Sequence, residues 1–264
     1  MYIAFIDLFW CSARFADHVY HVATLRIPSL VASEVIGFVV HILFGYHQLL
    51  STCLSLYAYA RVVKEKPVKL GSFDWKLHVC SLGPSALVAV VFALIGGFGP
   101  NAFWSLANAR TTSGVAVSFT AFFISLVNAL VTTGCRFLIS AKLDAALSAI
   151  ASDVSSTDIT TSSYSSSGVS RCEVQIGQVA SACIANQTRV ASWTYIPLAL
   201  ATYALAMFHA QGYIEPLASL CTTVCANVMG FANAYAYFTN ESMKLELRRQ
   251  VRARSRSRTV RTRS

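Results

Sequence analysis

Hydrophobic positions run along this chain in long blocks, not in the strict alternation of strands. An apolar run of about 20 residues is long enough to cross the hydrocarbon core of a bilayer as a helix. Six segments reach that length, roughly Tyr2–Ala23, Val35–Ala60, Leu77–Phe98, Gly114–Ile139, Ala191–Gly212 and Leu217–Phe238. The first is the least apolar, since it holds Asp7, Arg14 and Asp17. It does not read as a secretory signal: a basic start is lacking, and Asp7 interrupts what would be the apolar core. The pattern predicts an all-α membrane protein, a six-span helical bundle, with four spans in residues 1–139 and two in 191–239. Residues 140–190 are rich in Ser and Thr (Ser155, Ser156, Thr157, Thr160 to Ser163, Ser165 to Ser167). Such a stretch cannot bury enough apolar surface to fold, so it is expected as a loop disordered in part. Within it, Val174–Thr188 has a weakly helical pattern that extends the next span.

The polar positions inside the spans are patterned too. At 100° per residue, Asp7, Arg14 and His21 recur at seven-residue steps on one face of the first span, with Asp17 and His18 flanking it. Arg14 and Asp17, three apart, are placed to pair. In the second span Glu34, His41, Gln48 and Ser55 also step by seven, with Thr52 alongside. In the last, Thr222, Asn233 and Tyr237 share a face. A charge at mid-span costs roughly 2.5–3.5 kcal/mol on insertion scales, so such residues face the bundle interior and mark function. The alternative is that they serve only as hydrogen bonds between helices. Three polar stripes together predict a hydrated or ligand-filled interior.

Composition agrees. Of 264 residues, 55% are hydrophobic and only 12% charged, against about a quarter charged in soluble domains. The net charge of +9 is mostly local: the tail at 240–264 carries nine basic residues against Glu241 and Glu246, or +7. Beside an apolar span, such a tail reads as a segment that sets orientation and attracts anionic lipid, not as a nucleic-acid module. Basic residues also cluster between the second and third spans (Arg61, Lys64, Lys66, Lys69, Lys76) and around the long connection (Arg136, Lys142, Arg171, Arg189). The opposite loops hold Arg26 and Arg110 alone. The positive-inside rule therefore places both ends of the chain, the long connection and the tail in the cytoplasm. Asn186-Gln187-Thr188 and Asn240-Glu241-Ser242 match the glycosylation pattern on that same side and are read as chance matches. The eight cysteines have no zinc or redox spacing and imply no disulfide framework.

The end of the last span, Asn233-Ala234-Tyr235-Ala236-Tyr237 followed by Phe238, resembles the Asn-Pro-x-x-Tyr signature closing the seventh helix of G-protein-coupled receptors, with Ala234 in place of proline. Asp7, in Ala4-Phe5-Ile6-Asp7-Leu8, resembles the Asp on the second helix of those receptors. Further features are similar to the fungal and amoebal class of cAMP-receptor-like and carbon-source-sensing receptors. These are Asp74-Trp75-Lys76-Leu77 entering a helix, Gly97-Phe98-Gly99-Pro100 leaving it, the Ser-rich loop, and Asn240-Glu241 after the last span. On this resemblance the six spans match helices two to seven, with the first helix missing. Departures are the lack of Asp-Arg-Tyr at the inner end of the second span, where Tyr59-Ala60-Arg61 supplies only the Arg, and of the cysteines for the usual outer disulfide. The resemblance implies a multi-pass receptor of the plasma membrane that binds an extracellular ligand, nutrient or cAMP-like, and couples to a heterotrimeric G protein. It implies Asp7, Asn233 and Tyr237 as the activation switch and Arg61, Arg136 and Arg189 on the G-protein face. Arg14, Asp17, His18, His21, Glu34 and His41 are the candidates for the ligand cavity. No enzyme activity, catalytic residue, metal or cofactor is expected.

Other readings are weaker. A retinal-binding opsin needs a lysine in its last span, and Leu217–Phe238 has none. A zinc hydrolase would have to gather His18, His21 and His41 as ligands, while His47, His78 and His209 form no ligand motif. The Arg-Ser repeats at Arg254–Arg258 are only superficially like an RNA-binding tail. The main rival is a proton-coupled small-solute transporter, because intramembrane Asp, Glu and His also build proton relays.

Overall fold

The computed structural model describes residues 2–24, 28–101, 105–108, 110–157, 193–213 and 216–239. These are almost wholly helical: α1 (Tyr2–Thr24), α2 (Leu30–Val62), a 3-10 turn at Ser72–Asp74, α3 (Trp75–Leu94), α4 (Thr112–Thr157), α5 (described over 193–210) and α6 (Pro216–Thr239). Leu30–Val62, Trp75–Leu94 and Thr112–Ala146 are long and apolar enough to cross a membrane. Pro216–Val228 is a shorter apolar helix. These helices expose large apolar side chains: Val79, Leu87, Val91 and Leu94 on α3, Phe123, Leu130 and Phe137 on α4. That surface suits lipid and not water. The cysteines among the described residues are free thiols.

Local sequence accounts for the ends. Ser29 caps α2 by accepting from the Ala32 amide at 3.3 Å. Thr111 does the same for α4 at Gly114 (3.1 Å), each satisfying one of the donors that a helix start leaves open. Pro84 lies inside α3 without ending it, as membrane helices tolerate. Two differences from the sequence reading stand out. The fourth helix does not stop at Ile139 but continues to Thr157, because Ala141–Ala151 is dominated by Ala and Leu and holds no glycine or proline. The third ends at Leu94, not Phe98, and Gly96–Gly97 release the chain into an antiparallel hairpin, β1 (Phe98–Pro100) and β2 (Ser105–Ala107). Thus the described chain is not purely α.

α2 is the central element. It packs against α1, α3, α4 and both strands. Two glycines let neighbours come close: a Cβ at Gly37 would lie 2.7 Å from the carbonyl oxygen of Leu106 on β2, and one at Gly45 would overlap the Ser85 hydroxyl on α3. Small residues at helix contacts serve this purpose in membrane proteins. The main core joins Trp10, Val40, Phe44, Leu106, Ala121 and Leu198 from several elements. A second cluster holds Phe98 and Ala107 of the hairpin against Ala89 and Val117. A third, around Ile6, Leu50 and Leu77, lies away from the hairpin.

Candidate functional site

The stripe at seven-residue steps on α2 faces inward. His41, Gln48 and Ser55 are buried and Glu34 is half-buried. Each level of the stripe meets a different surrounding. At the level of Gln48, Asn128 of α4 donates to Gln48 Oε1. Its own Oδ1 accepts from Thr52 Oγ1 at 3.0 Å and from Thr132 Oγ1 at 2.9 Å. Ser51 Oγ lies 3.0 Å from the Tyr195 hydroxyl and joins α2 to α5. On another side of α2, His47 Nε2 stands 3.1 Å from Asp7 Oδ1 and ties α2 to α1.

The α1 stripe is equally engaged. Arg14 and Asp17 are both buried, 3.9 Å apart as an ion pair. Arg14 Nη2 donates to Thr223 Oγ1 on α6 (3.3 Å), and the guanidinium lies 5.6 Å from the centre of the Trp10 ring. Asp17 accepts from the Ser105 amide (3.0 Å) and hydroxyl (3.2 Å). This carboxylate therefore fastens the hairpin to α1 with two hydrogen bonds while meeting a buried cation. Elsewhere in the bundle, His209 of α5 bridges Asn101 and Ser118. Asn101 Nδ2 lies 3.3 Å from Nε2, and Ser118 Oγ lies 2.7 Å from Nδ1. With the amide nitrogen donating to Nε2, the proton sits on Nδ1 and is given to Ser118, whose own hydrogen goes to the Gly114 carbonyl.

At the centre is a cavity of about 20 Å³, room for about one water. α1, α2, α4, α5, α6 and β2 all contribute to its wall, which includes Trp10, His41, Phe44, Leu106, Thr202 and Thr222. His41 is 1% exposed and rests edge-on against Phe92 at 5.9 Å. Neither ring nitrogen of His41, nor Nε1 of Trp10, has a hydrogen-bond partner among the described residues.

Of the six ligand-cavity candidates, then, His41 lines this cavity. Arg14 and Asp17 form their ion pair outside the wall, His18 and Glu34 are half-buried and also outside it, and the side chain of His21 lies outside the described residues. Of the switch candidates, Asp7 meets His47, while the side chains of Asn233 and Tyr237 in α6 lie outside the described residues, as does Arg189. Arg61 is exposed in the last turn of α2, and Arg136 is half-buried on α4. The Lys142–Glu65 ion pair (3.3 Å) joins α4 to the chain just after α2. The Ser-rich segment beyond Thr157 and the basic tail lie outside the described residues. Sequence reasoning passed over Trp10, Asn128 and Ser118, and set His209 aside as forming no ligand motif. The first is one apolar-run aromatic among many, and the others have partners 76 to 108 positions away. No group of three or more His, Cys, Asp or Glu placed to hold a metal occurs among the described residues. No protein-family model, curated protein or solved structure matches this chain.

Proposed function

We propose that the chain is a G-protein-coupled receptor-like signalling protein. In this reading six helices span the plasma membrane, both ends of the chain are cytoplasmic, and the central cavity takes a ligand from outside. The observation that carries it is the pair of contacts made by Asp17. A hairpin beside the ligand space is bonded to the same carboxylate that meets Arg14, and Arg14 is bonded to α6. A ligand that moves the hairpin therefore acts on the relation of α1 to α6, and it favours whichever bundle arrangement it binds better. Arg61, Arg136 and Arg189 would then face the heterotrimeric G protein, and the basic tail would lie on anionic lipid.

The Asp7–His47 pair favours a second reading, a proton-coupled transporter, since an acid and an imidazole facing each other between spans are the parts of a proton relay. One experiment separates them: the chain reconstituted in vesicles with a purified heterotrimeric G protein. The receptor reading expects faster nucleotide exchange on the α subunit than in protein-free vesicles. It also expects Asp7→Asn to change that rate, with no added proton flux under an imposed pH gradient. Proton flux with unchanged exchange would replace it by the transporter.

A further inference from the structure

The central cavity has polar groups that the bundle itself leaves unmatched. Trp10 Nε1 can only donate, and a neutral imidazole offers one donor and one acceptor. Trp10 and His41 are 5% and 1% exposed, both line the cavity, and these nitrogens have no partner among the described residues. Buried polar groups of native proteins are nearly always satisfied, so two in one wall point to an occupant. The threonine hydroxyls of the wall are already committed as donors. Thr202 and Thr222 give their hydrogens to the carbonyls of Leu198 and Ala218, both at 2.9 Å, leaving only lone pairs to offer.

We propose that this cavity is a binding site for a neutral hydroxyl group, of a water molecule or of a small alcohol, held between Trp10 and His41. A hydroxyl oxygen accepts from Trp10 Nε1–H and donates its hydrogen to the bare ring nitrogen of His41, and so meets two of the three unmatched nitrogens at once. A cation finds no carboxylate in the wall, and Asp17 is matched by Arg14. An anion finds no positive charge there. A wholly apolar ligand leaves all three nitrogens unsatisfied, which is the costly case.

Size gives the site its consequence. At about 20 Å³ the cavity takes one water without change, whereas an alcohol must displace part of the wall. Leu106 belongs to that wall, its carbonyl abuts Gly37, and its neighbour Ser105 is bonded to Asp17. An occupant larger than water therefore presses on the hairpin. That last step rests on the receptor reading, whereas the site itself does not.

The test uses the full chain, with ¹⁵N-labelled histidine, in phosphatidylcholine nanodiscs, and ethylene glycol as the probe. The His41→Phe spectrum, or that of His41→Gln where the first variant does not fold, assigns the His41 signals, and the spectra of the unsubstituted chain decide the outcome. Expected are magnetisation transfer from water to the His41 ring without glycol, a saturable shift of its nitrogens with glycol, or both. The first arm identifies water as the occupant and the second an alcohol. Trp10→Phe should weaken the glycol response roughly threefold to tenfold, the loss of one neutral hydrogen bond. His41 nitrogens that neither contact water nor shift saturably would overturn the site. Nucleotide exchange measured on the same nanodiscs keeps the two ideas apart. A His41 shift with unchanged exchange leaves the site standing and removes the receptor reading.

Discussion

Gln48 and His41 lie two turns apart on one face of α2, and both are almost wholly buried, yet their surroundings are opposite. Around Gln48 the polar atoms find one another: Asn128, Thr52 and Thr132 close a network between α2 and α4. Around His41 they do not, and the ring faces a cavity. Burial and periodicity alone cannot tell these positions apart. What distinguishes them is hydrogen-bond saturation. A saturated cluster fixes one helix arrangement, whereas an unsaturated one keeps its hydrogen-bonding capacity for something that arrives.

The largest effect is expected at Asp17, which holds the hairpin to α1. Asp17→Ala removes both bonds to Ser105 and leaves Arg14 buried without its carboxylate, so a loss of about 3 kcal/mol is expected. Unfolding in mixed micelles would measure it, and Asp17→Asn, which can still accept from Ser105, should lose clearly less. Next comes Asn128→Leu. With hydrogen bonds between membrane helices worth roughly 0.6 kcal/mol each and orphaned partners costing more, about 2 kcal/mol should go, read as a lower midpoint in the same assay. His41→Phe sharpens the contrast. It replaces a ring that has no protein hydrogen bond among the described residues with an apolar one of similar shape, so stability should stay within about 1 kcal/mol of the original. A fall as large as that of Asn128→Leu would place His41 in the scaffold. Smallest is Lys142→Ala at the exposed ion pair with Glu65, expected to change the midpoint by less than about 0.5 kcal/mol.

Much of this arrangement was legible in the sequence. The seven-residue steps on α2 correctly place His41, Gln48 and Ser55 inside, and the three-residue spacing of Arg14 and Asp17 matches their pairing. Five of the six apolar blocks coincide with helices to within a few residues at most ends, but the fourth block says nothing of the helix beyond it. There Lys142 and Asp144 interrupt the apolar run while Ala and Leu keep helix propensity high, and a hydropathy reading stops ahead of these charges, not where the helix does. The hairpin was hidden because strands of three residues are too short to show alternation. The contacts at Asn128 and His209 were hidden because a polar residue on an apolar helix gives no sign of which distant residue it will meet. His47 looked isolated for the same reason, although Asp7 lies across from it.

The length of α4 carries one more consequence. Forty-six residues at 1.5 Å each make a rod of about 69 Å, and a bilayer's hydrocarbon occupies about 30 Å of it. Once α4 is seated in a membrane, its last several turns stand clear of the lipid as a spacer. The end of α4 at Thr157 is then set off from the lipid at a distance that the number of helical residues fixes, so that inserting or deleting whole turns there would tune the reach without touching the bundle.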